Sequence, residues 1–162
     1  MLKIRTASID DIRLIRELTF KVWPQTYANI ISQQQIDYML EMMYSEGSLR
    51  KQMEDGCRFI IAEDGNEPVG FAAYEKIRST VFKLHKLYIL TSQQGKGTGR
   101  LVIDYISKEI KQRGATALQL QVNWYNKAGS FYEKLGFVVI DEADFDIGNG
   151  YFMNDYVMER KL

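Results

Sequence analysis

The chain has 162 residues, of which 46% are hydrophobic and 26% are charged, a composition typical of one globular domain over residues 1–162. Its 21 Lys and Arg residues balance 21 Asp and Glu residues, which excludes a general attraction to nucleic acid or to an anionic membrane and favours a small-molecule or peptide partner. No apolar run approaches the roughly 20 residues of a membrane span, and the N-terminus lacks a signal-peptide core, so we expect a cytoplasmic protein.

Cysteine and histidine each occur once, as Cys57 and His85. An internal disulfide and a zinc site built from Cys and His are therefore excluded, and the acids show no EF-hand-like spacing. We expect no metal. Cys57 lies in the apolar run CRFIIA and is predicted to be buried rather than reactive.

Helices dominate the first third of the chain. After a short strand at residues 2–6, Ser8 is predicted to cap a helix that ends at Pro24. Ser32 and Gln35 form the pattern of a capping box, which opens a second helix with apolar residues at helical spacing. A short third helical piece is expected soon after it.

Strands dominate from Arg58 onward. RFIIAE and VGFAAYEK are predicted to form an antiparallel hairpin, and a third strand over residues 81–90 leads into a glycine-rich loop. A helix, a strand, a second helix and two final strands follow, at residues 97–113, 118–122, 126–135, 137–140 and 151–162. This order predicts an α/β fold with a mixed, mostly antiparallel, twisted sheet of about seven strands and about four flanking helices.

The loop QQGKGTGR, residues 93–100, has the composition of a phosphate-binding loop. It fails the Walker pattern, because Leu90 stands where the first glycine is required and Gly97 replaces the hydroxyl residue after the lysine. It fails the dinucleotide pattern because Arg100 replaces the third glycine. What remains is a helix N-terminus that can bind an anion, with Lys96 and Arg100 near its outer oxygens, or a turn that only reverses the chain.

A second motif, NWYNKAGSFYEKLGF, occupies residues 123–137. Together with residues 94–99, which fit the pattern Q/R-x-x-G-x-G/A, it resembles the two motifs of the Gcn5-related N-acetyltransferase (GNAT) family at the separation typical of that family. The resemblance extends over nearly the whole chain. The block FYEKLGF and the tail FDIGNGYFMNDYVMERKL are most similar to the bacterial spermidine/spermine acetyltransferase group.

The resemblance implies a binding site for acetyl-CoA as co-substrate. In the family, the pyrophosphate lies on the glycine loop and the pantetheine arm runs along the preceding strand, so both rely mainly on backbone groups. Asn126, or Asn123 in its place, matches a further cofactor contact. The implied cofactor-binding residues are Leu87, Tyr88, Ile89, Gln94, Gly95, Lys96, Gly97, Thr98, Gly99, Arg100 and Asn126.

The resemblance also implies direct attack of an amine on the thioester. Tyr132 matches the tyrosine that protonates the departing thiolate, and a backbone N–H near Ile89 matches the donor to the oxyanion. His85 falls where relatives that acetylate polyamines carry a glutamate as general base, and its ordinary pKa of about 6.5 suits that role. Glu75, on the preceding strand, is the reserve candidate. For Tyr132 and His85, the alternative is a purely structural role.

The acceptor site is predicted from the loop after the first helix and from the last hairpin. An aromatic wall for a cationic amine could be formed by Trp23, Tyr27, Trp124 and Tyr151. A run of acids would suit a polyamine, and it consists of Asp141, Glu142, Asp144 and Asp146. The alternative for these acids is a solvated loop without a role in binding. A peptide or protein amine, a non-catalytic acyl-CoA sensor and a nucleotide-binding regulator stay open. A homodimer through an exposed C-terminal strand is also conceivable.

Overall fold

The structure is a computed structural model that describes the backbone of residues 1–162 and every side chain except that of Ala143. Over this range the chain forms one mixed sheet of seven strands. The strands are β1 (Leu2–Thr6), β2 (Arg58–Asp64), β3 (Glu67–Arg78), β4 (Val81–Ile89), β5 (Ala117–Asn123), β6 (Val138–Gly148) and β7 (Tyr151–Lys161). Their spatial order is β1-β2-β3-β4-β5-β7-β6. The predicted α/β fold with a mixed, mostly antiparallel sheet is therefore confirmed.

The described backbone also contains five α-helices, which include the short third piece expected after the second helix. They are α1 (Ile12–Tyr27), α2 (Gln33–Tyr44), α3 (Glu46–Glu54), α4 (Thr98–Gln112) and α5 (Ala128–Lys134). The first three cover one face of the sheet and the last two cover the other. Alternation along β2 serves both layers, since Phe59 and Ile61 pack with α1 to α3 while Ile60 and Ala62 pack with α4.

The predicted end of the first helix at Pro24 is wrong. The helix α1 continues through Pro24 to Tyr27, and the proline carbonyl accepts a hydrogen bond from Ala28. Because proline has no N–H, the carbonyl of Phe20 lacks its helical hydrogen bond. Phe20 lies on the exposed side of the helix, where water can replace that donor. Trp23, buried and 4.6 Å from the ring of Tyr27, holds this last turn in place.

Only half of the capping box predicted for α2 forms. The Ser32 hydroxyl accepts the backbone N–H of Gln35, as expected. The Gln35 side chain does not return to Ser32 but donates to the carbonyl of Phe152, 2.8 Å away. Tyr38 donates in the same way to the carbonyl of Ile147. These two bonds tie α2 to the hairpin of β6 and β7.

The parallel pair β4 and β5 positions the functional site. In the described backbone the two strands pair from Val81 and Ala117 to Leu84 and Leu120, and they diverge beyond that point. The register of β4 against β3 shifts there as well, which leaves His85 as an extra residue in a bulge. The sheet is thus open between β4 and β5 in its second half.

The last strand is not at the edge of the sheet, although the suggested homodimer depended on an exposed C-terminal strand. β7 pairs with β5 on one side and with β6 on the other, so β6 is the edge strand. The acids predicted to lie in a loop, from Asp141 to Asp146, belong to β6.

Candidate active site

A cleft of about 580 Å³ lies where β4 and β5 diverge. The second half of β4, the glycine loop and α5 line it, together with residues of α1 and β5. The structure brings twelve of the predicted residues into its lining: Tyr27, His85, Leu87, Tyr88, Ile89, Gln94, Gly95, Gly97, Thr98, Gly99, Asn126 and Tyr132.

The open edge of β4 offers backbone groups to this cleft. The N–H of Leu90 donates to the carbonyl of Val69 on β3. Because successive N–H groups of a strand point to opposite sides, those of Leu87 and Ile89 point away from β3 and into the gap. Amide groups of an extended ligand can therefore pair with β4 as a further strand would.

The N-terminus of α4 closes one end of the cleft. Gly97 precedes the helix in the left-handed region, with φ of 78°, and Gly95 has φ of 81°. The first helical hydrogen bond runs from the N–H of Leu101 to the carbonyl of Gly97. The three N–H groups between them, of residues 98–100, have no helical acceptor and carry the positive end of the helix dipole. This arrangement fits a phosphate group.

Side chains of the loop contribute less than its backbone. Lys96 and Arg100 are exposed, and neither belongs to the described lining of the cleft. The buried Thr98 hydroxyl donates to the side-chain oxygen of Gln93, 3.2 Å away. At Gly99 an added Cβ would lie 3.0 Å from Cζ of Phe131 on α5, so this glycine allows close packing of the two helices.

The two asparagines considered for the cofactor occupy different sites. Asn126 lines the cleft, and its Oδ1 accepts the N–H of Ala128 at the start of α5. Asn123 lines a second cavity, described below, and its Oδ1 accepts the N–H of Tyr125. The structure therefore places Asn126, and not Asn123, beside the glycine loop.

Tyr132 lies on α5 with its ring in the lining of the cleft. Phe131 and Phe137 contact the ring edge-on, at centroid distances of 5.2 and 5.6 Å. Burial, with a smaller contribution from Tyr27, raises the pKa of the Tyr132 phenol well above its ordinary value. The hydroxyl is therefore protonated at neutral pH and can only act as a proton donor there.

His85 and Glu75 form a pair, although the sequence offered them as alternatives. Nε2 of His85 lies 2.8 Å from Oε1 of Glu75, across neighbouring strands. Burial, followed by the charge of Lys83, lowers the pKa of His85, and the Glu75 carboxylate partly opposes that shift. A neutral imidazole in this pair would donate its Nε2–H to Glu75 and offer Nδ1 as the acceptor of a proton.

A second cavity of about 490 Å³ lies under α1, α2 and the hairpin of β6 and β7. Its walls are largely aromatic and aliphatic and include Trp23, Met39 and Phe152. It adjoins the cleft through the gap between β4 and β5. Six residues line both spaces: Tyr27, Leu84, His85, Lys86, Tyr88 and Gln121.

Four charged residues of this second cavity were not among the predicted site residues: Asp55, Lys83, Lys86 and Asp155. Lys83 donates to Oε1 of Gln121, and Lys86 lies over the ring of Tyr44, where burial lowers its pKa to about 8. Asp155 is 1% exposed, and burial raises its pKa to about 6, opposed by Lys83. For Asp155, the signal available in the sequence was an acid within the apolar strand pattern of β7.

The predicted acceptor residues are only partly brought together. Trp23, Tyr27 and Glu75 line the second cavity. Tyr151 packs on Tyr38, and Trp124 packs on Tyr156, both outside the described lining. Alternation along β6 turns Phe145 and Ile147 inward, and none of the four acids belongs to the described lining: Asp141, Glu142, Asp144 and Asp146.

Comparison with known families identifies the class of protein. The family model described as the acetyltransferase (GNAT) domain matches residues 27–159. The chain therefore belongs to the GNAT acetyltransferases, and it is an acetyl-CoA-dependent N-acetyltransferase. The cleft has the features that coenzyme A requires, with helix N-terminal amides for phosphates and an open strand edge for pantetheine.

The chain is also similar to individual proteins of this family. The chain is 29% identical over 166 residues to a spermidine N(1)-acetyltransferase of Thermoplasma acidophilum, covering 99% of this chain and 97% of that protein. It is 29% identical over 98 residues to a ribosomal protein bS18-alanine N-acetyltransferase of Haemophilus influenzae, covering 60% of this chain and 66% of that protein.

A solved structure of PaiA N-acetyltransferase from Thermoplasma acidophilum in complex with coenzyme A superposes with a TM-score of 0.84. It is 27% identical and covers 100% of this chain and 99% of that chain.

Among the described residues, no group of three or more His, Cys, Asp and Glu is placed to hold a metal ion. None of the described helices has the length and hydropathy of a membrane span.

Proposed function

We propose that the protein transfers an acetyl group from acetyl-CoA to a primary amine of a small acceptor, such as a polyamine, by direct attack. One observation carries this proposal: the cleft and the second cavity meet at the bulge of β4, where His85 lines both. A cofactor in the cleft and an amine in the second cavity would thus react at a shared position, without a covalent enzyme intermediate.

Acetyl-CoA supplies the activated thioester carbonyl. The amine nitrogen forms a bond to this carbonyl carbon, and the bond from carbon to sulfur breaks. One proton leaves the amine, and one is delivered to the sulfur of CoA, so that acetylated amine and free thiol result. The N–H groups of Leu87 and Ile89, which point into the gap, are the donors in reach of the charge that develops on the carbonyl oxygen.

His85 serves as the base in this proposal. Its neutral imidazole accepts the amine proton at Nδ1, and Glu75 fixes the tautomer and stabilises the imidazolium that forms. An aliphatic amine has a pKa of about 10 and is charged at pH 7, so it first releases one proton to solvent. The neutral amine that attacks then loses a second proton to His85 as its bond to the carbonyl carbon forms. The lowered pKa of His85 keeps it free to take that proton.

Tyr132 serves as the acid. Its phenol is protonated and reaches the cleft from α5, whereas His85 lies on β4. Because its pKa is raised, it transfers its proton only as negative charge builds up on the sulfur. The acid and the base are thus held by different layers of the fold.

Two observations favour a small amine over a protein amine. The second cavity is lined by α2 and by the hairpin bonded to it, and its volume suits a small molecule. The relative named for spermidine aligns with 99% of this chain, whereas the relative named for a ribosomal protein aligns with 60%.

Release of thiol from acetyl-CoA, measured against a panel of amines, tests the proposal. The panel contains polyamines, monoamines and a peptide with a free N-terminal alanine. We expect turnover with polyamines above all. Turnover with the peptide alone would move the acceptor to the protein class, and binding of CoA without any turnover would indicate a sensor.

A further inference from the structure

The carboxylate of Asp155 has no partner although it is almost fully buried. The side chain is 1% exposed, and neither of its oxygens has a hydrogen-bond donor among the described residues. The nearest cation that affects it, Lys83, is hydrogen-bonded to Gln121 and forms no ion pair with Asp155. A buried carboxylate without a donor is unfavourable, so this position is expected to receive a cation from outside the chain.

The position of Asp155 decides which part of an acceptor it would meet. Asp155 lines the second cavity but not the cleft, whereas His85 lines both. It lies on β7, opposite Asn123 of β5, while His85 lies on β4 at the other side of β5. Because β4 diverges from β5 at His85, more than two strand spacings of about 4.8 Å each separate the two backbones. The reacting amine at the gap is therefore not the group that Asp155 contacts.

Apolar side chains line part of the same cavity, alongside the polar side chains of Gln121 and Asn123 on β5, and suit an unbranched aliphatic segment. Phe145, Ile147 and Met153 come from the hairpin, and Met39 comes from α2. These apolar side chains offer no hydrogen-bond partner to a polar linker, and they favour methylene groups. Trp23, also in the lining, adds an aromatic face that is attractive to a cation.

We propose that Asp155 binds the ammonium group at the far end of the acceptor, and so makes the enzyme selective for linear amines that carry a second positive charge. This inference rests on the function proposed above and adds to it a specificity-determining residue. A monoamine, or an amine with a neutral far end, would leave the carboxylate buried and unpaired.

The test compares 1,8-diaminooctane with 8-amino-1-octanol, which replaces the second ammonium with a neutral hydroxyl. We expect kcat/KM of the unchanged enzyme to favour the diamine by about tenfold or more, because hydrogen bonds to charged groups are the stronger ones. In Asp155→Asn the preference should disappear. The matched control is Asp144→Asn, an exposed acid outside the described lining, which should retain the preference.

Two further measurements keep the result decisive. Calorimetry measures the binding of each amine to the protein saturated with CoA, and so reports the preference without turnover. Loss of diamine binding in Asp155→Asn supports the role of Asp155 in binding the second ammonium group. This result would hold even if acetyl transfer to small amines fails. Thermal unfolding of Asp155→Asn should match or exceed that of the unchanged protein, since an unpaired charge is removed. An unchanged diamine preference in Asp155→Asn, or a large loss of its stability, would overturn the proposal.

Discussion

At the scale of single residues, Tyr132 allows its chemistry to be separated from its packing. In Tyr132→Phe the ring keeps its contacts with Phe131 and Phe137, and only the hydroxyl is lost. We expect kcat to fall by about 10² or more, the typical contribution of a positioned acid, with CoA affinity and thermal stability unchanged. Steady-state rates, calorimetry with CoA and a thermal melt check the three parts. A full rate in this variant would assign the tyrosine to packing alone.

The pair of His85 and Glu75 predicts a pH shift of defined sign. Glu75 raises the pKa of His85 against burial, so Glu75→Gln should lower that pKa further. The base then stays neutral to lower pH, and the acid limb of kcat/KM moves down by about one unit. Lys83 acts in the opposite sense, and Lys83→Met should move the same limb up. Two variants that shift the limb in the same direction, or not at all, would remove His85 as the titrating base.

At the scale of helices, the contact between α4 and α5 depends on one glycine. An added Cβ at Gly99 meets Phe131 at 3.0 Å, so Gly99→Ala should push the helices apart and lower the free energy of unfolding by about 1 to 3 kcal/mol. Gly47→Ala is the matched control, because Gly47 also lies in the first turn of a helix and has no atom within 4 Å of the added Cβ. It should stabilise by about 0.5 to 1 kcal/mol. Urea unfolding measures both changes.

The hydrogen bond between α2 and the last hairpin should affect KM for the amine but not KM for acetyl-CoA. Gln35→Ala removes the bond to Phe152 and loosens the roof of the second cavity. We expect KM for the amine to rise about fivefold, equal to about 1 kcal/mol, while KM for acetyl-CoA is unchanged. Gln33→Ala serves as control, since Gln33 bonds only to Asp37 within α2. Equal effects of the two variants would show that the tie is irrelevant to the acceptor.

Local patterns predicted the hairpins, the glycine loop and the helix that follows it, because turns, caps and periodicity are written in neighbouring residues. The end of α1 was wrong, since the packing of Trp23 overrides the local effect of Pro24. Asp155 was missed for a similar reason. An acid in a strand gains a role only when strand pairing places it beside a cavity, and that pairing depends on residues far apart in the chain.

At the scale of the whole molecule, binding of CoA in the gap between β4 and β5 should stabilise the folded protein. CoA at about 100 times its Kd adds about 2.7 kcal/mol to the free energy of unfolding. For a chain of this size, that corresponds to a rise in Tm of roughly 5 to 10 °C. ATP at the same concentration should give a smaller rise, because it has no pantetheine arm for the open edge of β4. An equal or larger rise with ATP would favour a nucleotide-binding regulator.

The divergence of β4 and β5 also bears on the order of events. The two reactants enter spaces formed mainly by different helices, α4 and α5 for one and α2, α3 and the hairpin for the other, while α1, β4 and β5 border both. Neither reactant blocks the path of its partner, and both must be present together at the bulge. Initial rates plotted as double reciprocals should therefore give intersecting lines, typical of a ternary complex, and not the parallel lines of a ping-pong reaction.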